Sequence, residues 1–249
     1  MKRMLFVLAA LLLAAAAASA DVTVTMTVSV NAAQMNISGT TTSASKGTKF
    51  RVDTEMSGQN LTILSDSATK QQWKIDHNAK QIEPFDTGAA MAALPVSLGE
   101  AKAVVKPTGE TKEILGRKCQ GYAVEVTLPL TVAGETLTMR MSGPAWITKE
   151  GAGLAEFTAA QKAYSDLGMT TSLLAQGPQA KALAELSRVL GANGVVMEQE
   201  NQLSMEGTGQ MAQVMAQMGG MTMVTKVTAI TTDPIPDSKF ALPEGYAKK

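Results

Sequence analysis

The chain has 249 residues, 45% of them hydrophobic, and its 22 basic residues balance 22 acidic ones. With no basic surplus, a nucleic-acid partner is excluded as a main function. One cysteine, Cys119, and one histidine, His77, exclude an internal disulfide, a His-rich zinc centre and any Cys/His cluster larger than one of each.

Residues 1–20 place Lys2 and Arg3 before an apolar run from Met4 to Leu13, and small residues end at Ala18-Ser19-Ala20. This is the pattern of a secretory signal cleaved after Ala20, and it predicts an exported, periplasmic protein. Without Lys2 and Arg3 the remaining 229 residues carry 20 basic and 22 acidic groups, a net charge of −2, and are enough for one domain with a proper core. Residue 21 is Asp rather than Cys, and no later apolar run approaches the about 18–20 residues that span a bilayer. A soluble, non-transmembrane mature chain is therefore expected, a single domain over 21–249.

The mature chain opens on a strand. Val22, Val24, Met26, Val28 and Val30 alternate with polar residues, so the apolar set lies on one face. Short alternating runs continue at 49–53, 61–64, 72–75 and 80–83, with a Ser/Thr/Gly turn region at 38–48 and turns at 58–60, 65–67 and 76–78. Residues 86–102 are Ala-rich and predict a short helix interrupted at Pro95. Strands resume near Ala103, continue past Cys119 through Tyr122, Val124 and Val126, and return through Leu137, Met139 and Met141 to Trp146. Between about 153 and 191 the period changes: Leu154, Phe157, Ala160, Tyr164 and Leu167, then Leu183, Leu186, Val189 and Leu190, mark two amphipathic helices inserted between strands. Residues 195–205 and 221–230 read as a final strand pair, and Pro234, Pro236 and Pro243 argue against regular pairing beyond Thr232. The fold class is mainly β with a helical insertion, an α+β arrangement.

Four stretches resemble the lipoprotein-carrier (LolA/LolB-like) superfamily of bacterial periplasmic proteins, and more narrowly an uncharacterised exported family of that fold. They are KFRVD at 49–53, ILSDSATKQQWKIDHNAKQI at 63–82, ILGRKCQGYAVEV at 114–126 with AWITKE at 145–150, and IPDSKFALPEGY at 235–246. The resemblance implies a strongly curved antiparallel half-barrel covered by helices on its concave face. It further implies an apolar cavity between sheet and helices, which in better-known relatives takes acyl chains. The helical insertion and the Met-rich segment depart from the true carriers.

Sixteen methionines against ten aromatics suit a surface that adapts to varied apolar partners. They concentrate in GTGQMAQVMAQMGGMTM at 207–223, where Met211, Met215 and Met218 share one face if 209–218 is helical. This segment reads as a hairpin tip packed on the sheet, as a mobile lid over a cavity, or as a Cu(I) or Ag(I) site in which Met211, Met215, Met218, Met221 and Met223 supply thioethers. Phe50, Trp73 and Trp146 are the large aromatics on predicted strands, either ordinary core or cavity wall. His77, in an Asp-His-Asn turn, reads as a solvated turn residue, Cys119 as an inert strand cysteine, and the carboxylate pairs Glu198/Glu200 and Glu110/Glu113 as solvated faces. No glycine-rich phosphate loop is present.

The expectation is a non-enzymatic binding or carrier protein for a lipid or acyl chain, with Phe50, Trp73, Trp146, Met211, Met215 and Met218 as cavity residues and no cofactor. Envelope proteins are further candidate partners. The alternatives are soft-metal binding by 207–223 and a ligand-free structural role in the envelope.

Overall fold

The alternating segment after Ala20 forms strand β1 (Val22–Ala32), with Val22, Val24 and Val28 buried and Met26 and Val30 half-buried. The structure, a computed structural model, describes residues 21–32, 35–85, 96–132, 134–166, 179–209 and 220–249. The expected signal at 1–20, most of the helix expected at 86–102, and Met211, Met215 and Met218 lie outside the described residues.

Among the described residues thirteen strands form one sheet. After β1 come β2 (Met35–Lys46), β3 (Lys49–Met56), β4 (Gln59–Asp66), β5 (Gln71–Asp76), β6 (Gln81–Pro84) and β7 (Val96–Leu98). Then follow β8 (Lys102–Ile114), β9 (Arg117–Val132), β10 (Glu135–Thr148), β11 (Val195–Glu206), β12 (Met221–Thr231) and β13 (Ala247–Lys248). The strand order is β13-β6-β5-β4-β3-β2-β1-β12-β11-β10-β9-β7, with β8 also paired to β9. Two helices, α1 (Leu154–Asp166) and α2 (Gln179–Gly191), lie between β10 and β11.

Residues opposite each other across a ladder share a side of the sheet, so the register assigns two faces. Val22, Ser45, Phe50 and Ser65 are successive partners on the inner face. Ala44, Arg51, Leu64 and Trp73 are successive partners on the outer face. The helices cover part of the inner face: Leu154 and Phe157 of α1 join Val22, Val24, Phe50 and Val52, and Leu186 and Leu190 of α2 join Leu128, Met139 and Met141. The outer face has its own cover. Ile235 and Phe240, from the segment after β12, pack with Ala44, Leu64, Ile75 and Ile82.

This two-sided burial explains where the architecture departs from expectation. It is mainly β, mostly antiparallel and carries two short helices, but it is not a strongly curled or closed half-barrel. A sheet with one apolar face gains by wrapping around it; here apolar side chains on both faces need cover from both sides. Two further corrections concern β2 and the C-terminus. Residues 38–46, expected as a turn region, belong to β2, because pairing with β1 and β3 holds them extended. Their inner positions, Thr41, Ser43 and Ser45, are hydroxyl residues and give no hydrophobic alternation. The Pro-containing tail returns to the sheet: β13 pairs in parallel with β6, and the Lys249 N–H donates to the Ile82 carbonyl at 2.9 Å.

Candidate ligand-binding face

The register brings methionine and aliphatic side chains from five strands into one inner-face patch. Met139 faces Met205, Met141 faces Leu203, and Leu203 faces Met221. Met223, opposite Asn201, continues to Val30, which faces Ile37. Burial is graded across this patch. Met139 and Met141 are buried in the cluster covered by α2, whereas Leu203, Met205, Met221, Met223, Val30 and Ile37 are only half-buried. β11 ends at Glu206 and β12 begins at Met221 beside this patch. Asn201, 1% exposed, is a polar point within the apolar patch, and its Oδ1 accepts a hydrogen bond from Gln199 Nε2 at 3.1 Å.

Of the three aromatics singled out in the sequence, Trp146 packs against the cluster that holds Phe50, whereas Trp73 belongs to a separate one. Phe50 is on the inner face, 1% exposed, with its ring centroid 6.1 Å from that of Phe157 on α1. Trp73 is on the outer face, against the cluster capped by Ile235 and Phe240. Trp146 pairs with Gly121 and lies under Lys112, whose Nζ is 4.4 Å from the ring centroid. Lys112 also ion-pairs with Glu198 at 2.7 Å. Of the methionines considered as metal ligands, Met221 and Met223 lie two apart on one face of β12, near Met205. Among the described residues no group of three or more His, Cys, Asp or Glu side chains is placed to hold a metal.

His77 is not a solvated turn residue. It is half-buried and both ring nitrogens are engaged: Nδ1 lies 3.0 Å from the Tyr246 hydroxyl and Nε2 2.8 Å from Thr62 Oγ1. Thr62 in turn donates to Asp53 Oδ1 at 2.6 Å, and Asp53 is held by Arg51 at 2.8 Å and Lys239 at 3.3 Å. Because the single Thr62 hydrogen goes to the carboxylate, Nε2 of a neutral His77 is the protonated nitrogen, and Nδ1 accepts from Tyr246. Burial, and then the Arg51 charge, lowers the His77 pKa, against the opposing effect of Asp53 and Asp76. For Asp53, desolvation pushes the pKa up, but hydrogen bonds from Arg51 and Thr62 and the charges of Arg51 and Lys239 together bring it below the ordinary carboxylate value. Thr62 is 0% exposed, so no substrate reaches its hydroxyl; the chain of contacts ties the C-terminal segment to β3 and β4. Sequence reading missed it because Asp53, Thr62, His77 and Tyr246 are scattered along the chain, and only the β3–β4–β5 register and the return of the tail to β6 join them. Cys119 is fully buried, its thiol donates to the Arg117 carbonyl at 3.5 Å, and desolvation raises its pKa. That environment makes it a poor nucleophile.

No family model and no curated protein sequence matches the chain. Solved structures show a distant likeness. A LolA-superfamily protein, NE2245 from Nitrosomonas europaea, is 9% identical, with 90% of this chain and 91% of that one covered at a TM-score of 0.32. An outer-membrane lipoprotein-sorting protein domain from Vibrio parahaemolyticus is 8% identical, with 93% and 94% covered at 0.33. A DUF1329 family protein from Desulfovibrio piger is 9% identical, with 93% and 94% covered at 0.32. The chain also aligns with PNGF-II at 14% identity and a TM-score of 0.35, spanning 31% of that protein's length. The structural neighbours include LolA-superfamily, lipoprotein-sorting and DUF1329 proteins.

Proposed function

We propose that the chain is an exported, non-enzymatic binding or carrier protein for a lipid or acyl chain, taken up on the inner face at the Met/Leu/Val patch. The observation that supports this is the half-buried cluster of Leu203, Met205, Met221, Met223, Val30 and Ile37, continuous with the core under α2. Flexible thioethers on a surface of this kind accommodate varied chain shapes. Burial contributes about 0.8 kcal/mol per methylene, so a long chain needs few polar contacts. Residues 210–219, with Met211, Met215 and Met218, serve in this reading as a cover over the patch. Among the described residues no helix is long and apolar enough to cross a membrane, and the signal at 1–20 directs the mature chain to the periplasm.

Titration with an environment-sensitive fluorescent fatty acid tests the proposal. Saturable binding is expected, weakened strongly by Met221→Glu and Met223→Glu. Absence of binding, or equal affinity in both variants, overturns it. The placing of Met205, Met221 and Met223 on one face supports a second reading, a Cu(I) or Ag(I) thioether site. Cu(I) titration under reducing conditions separates the two, since replacing these methionines by leucine abolishes metal binding and leaves lipid binding in place.

A further inference from the structure

The geometry points to a second binding site, on the outer face of the sheet, for a small zwitterion with an apolar side chain, of the free amino acid class. A pocket of about 230 Å³ opens where the β4–β5 hairpin meets the C-terminal segment. It is smaller than the roughly 300–1,000 Å³ that hold drug-sized molecules, which sets the scale of the occupant. Leu64 and Trp73, direct partners on β4 and β5, form one wall, and Phe240 and Leu242 form the other. Two opposite charges complete the lining: Lys49 and Asp66 are direct partners across β3 and β4, on the same face as Leu64 and Trp73.

The charges on this rim are not consumed by each other. Among the described residues no ion pair joins Lys49 to Asp66. Asp66 Oδ1 accepts the Ala68 N–H at 2.9 Å, which leaves its second oxygen for another donor. The Lys49 charge also acts on Asp237, a group already paired with Lys46 at 3.0 Å. Adjacent strands lie about 4.8 Å apart, so an ammonium and a carboxylate on one small molecule can engage Asp66 and Lys49 together. A simple anion or a simple cation would meet one like charge there. A neutral apolar molecule would leave both charges without a partner. The zwitterion satisfies both while its side chain covers Trp73 and Leu64. This site lies on the side of the sheet opposite the methionine patch, so its failure and that of the lipid-binding proposal are read separately.

Calorimetric titration of the full mature chain tests the proposal with L-leucine and two truncated analogues: 4-methylpentanoate, which lacks the ammonium, and isopentylamine, which lacks the carboxylate. L-leucine is expected to bind saturably and each analogue at least about tenfold more weakly. Asp66→Asn is expected to remove the preference for L-leucine over 4-methylpentanoate, and Lys49→Gln its preference over isopentylamine. Both substitutions are at rim positions outside the packed clusters, so folding is retained and can be checked by thermal unfolding. No saturable heat with L-leucine, analogues that bind as well as L-leucine, or variants that keep both preferences would each overturn the assignment.

Discussion

The contact between Phe50 and Phe157 is where α1 is locked to the sheet, and it supports a quantitative prediction. Both rings are almost fully buried, at 1% and 2% exposure, and their centroids are 6.1 Å apart with planes tilted by 36°. Truncating a buried phenylalanine costs about 3–5 kcal/mol through lost transfer energy and the cavity left behind. An aromatic pair adds about 0.5–1.5 kcal/mol beyond its buried area. Leu154 on the same helix and Val22 and Val52 on the sheet remain as partial support, which favours the lower half of the range. Phe157→Ala is therefore expected to cost about 3–4 kcal/mol. In a domain of this size that lowers the melting temperature by about 6–16 °C. Phe50→Ala should cost a similar amount, and the double variant less than the sum by about 1 kcal/mol. Urea unfolding followed by tryptophan fluorescence measures all three, with an unchanged slope confirming that the same surface is exposed. A cost below about 1 kcal/mol for Phe157→Ala, or strictly additive variants, would refute the docking of α1 on Phe50.

Four other outcomes follow from particular contacts. His77 has a lowered pKa in the fold, so the unfolded chain takes up its proton first; stability is complete above about pH 6.5 and declines as the pH falls from there toward the folded value, a slope that His77→Gln should remove from a pH series of urea midpoints. Asp53, also lowered, contributes stability above about pH 3.9 that is lost as the pH falls through its folded pKa, and Asp53→Asn should flatten that acid limb. Gly153 has φ +76°, and a Cβ there would sit 2.6 Å from Val22 Cγ2 and 2.7 Å from Thr232 Cγ2; Gly153→Ala should cost about 2–4 kcal/mol from left-handed strain and overpacking combined, and a neutral result in thermal unfolding would contradict the tight entry into α1. Arg140 bridges Glu125 at 2.6 Å and Glu206 at 3.0 Å, but these side chains are 40–54% exposed, so Arg140→Gln should change unfolding free energy by less than about 1 kcal/mol, and by less still at high salt.

Legibility in the sequence followed the strength of local patterning. β1 was readable because Val22, Val24, Met26, Val28 and Val30 alternate with polar residues within the strand itself. The β11–β12 pair was readable for the same reason, and its register joins Leu203 to Met221. β2 was not readable, since Thr41, Ser43 and Ser45 supply no apolar face, and what holds it extended is pairing with two neighbours. Parity separates Trp73 from Phe50: relative to their partners, Phe50 falls on the inner face and Trp73 on the outer, a relation that needs the β3–β4–β5 register. His77 looked solvated because its turn is polar; Tyr246, 169 positions away, is what encloses it.

The sequence alone determined a strand-rich chain with paired helices late in it, one thiol that forms no internal disulfide, and a methionine concentration suited to adaptable apolar contact. These are local or compositional properties, set by side-chain period and residue type. Tertiary structure decided which apolar residues share a face, that the tail returns to cover the outer side, and that the sheet stays open. Each of these depends on strand order and register, which bring together residues distant along the chain, and a single sequence carries no local signal of such pairings.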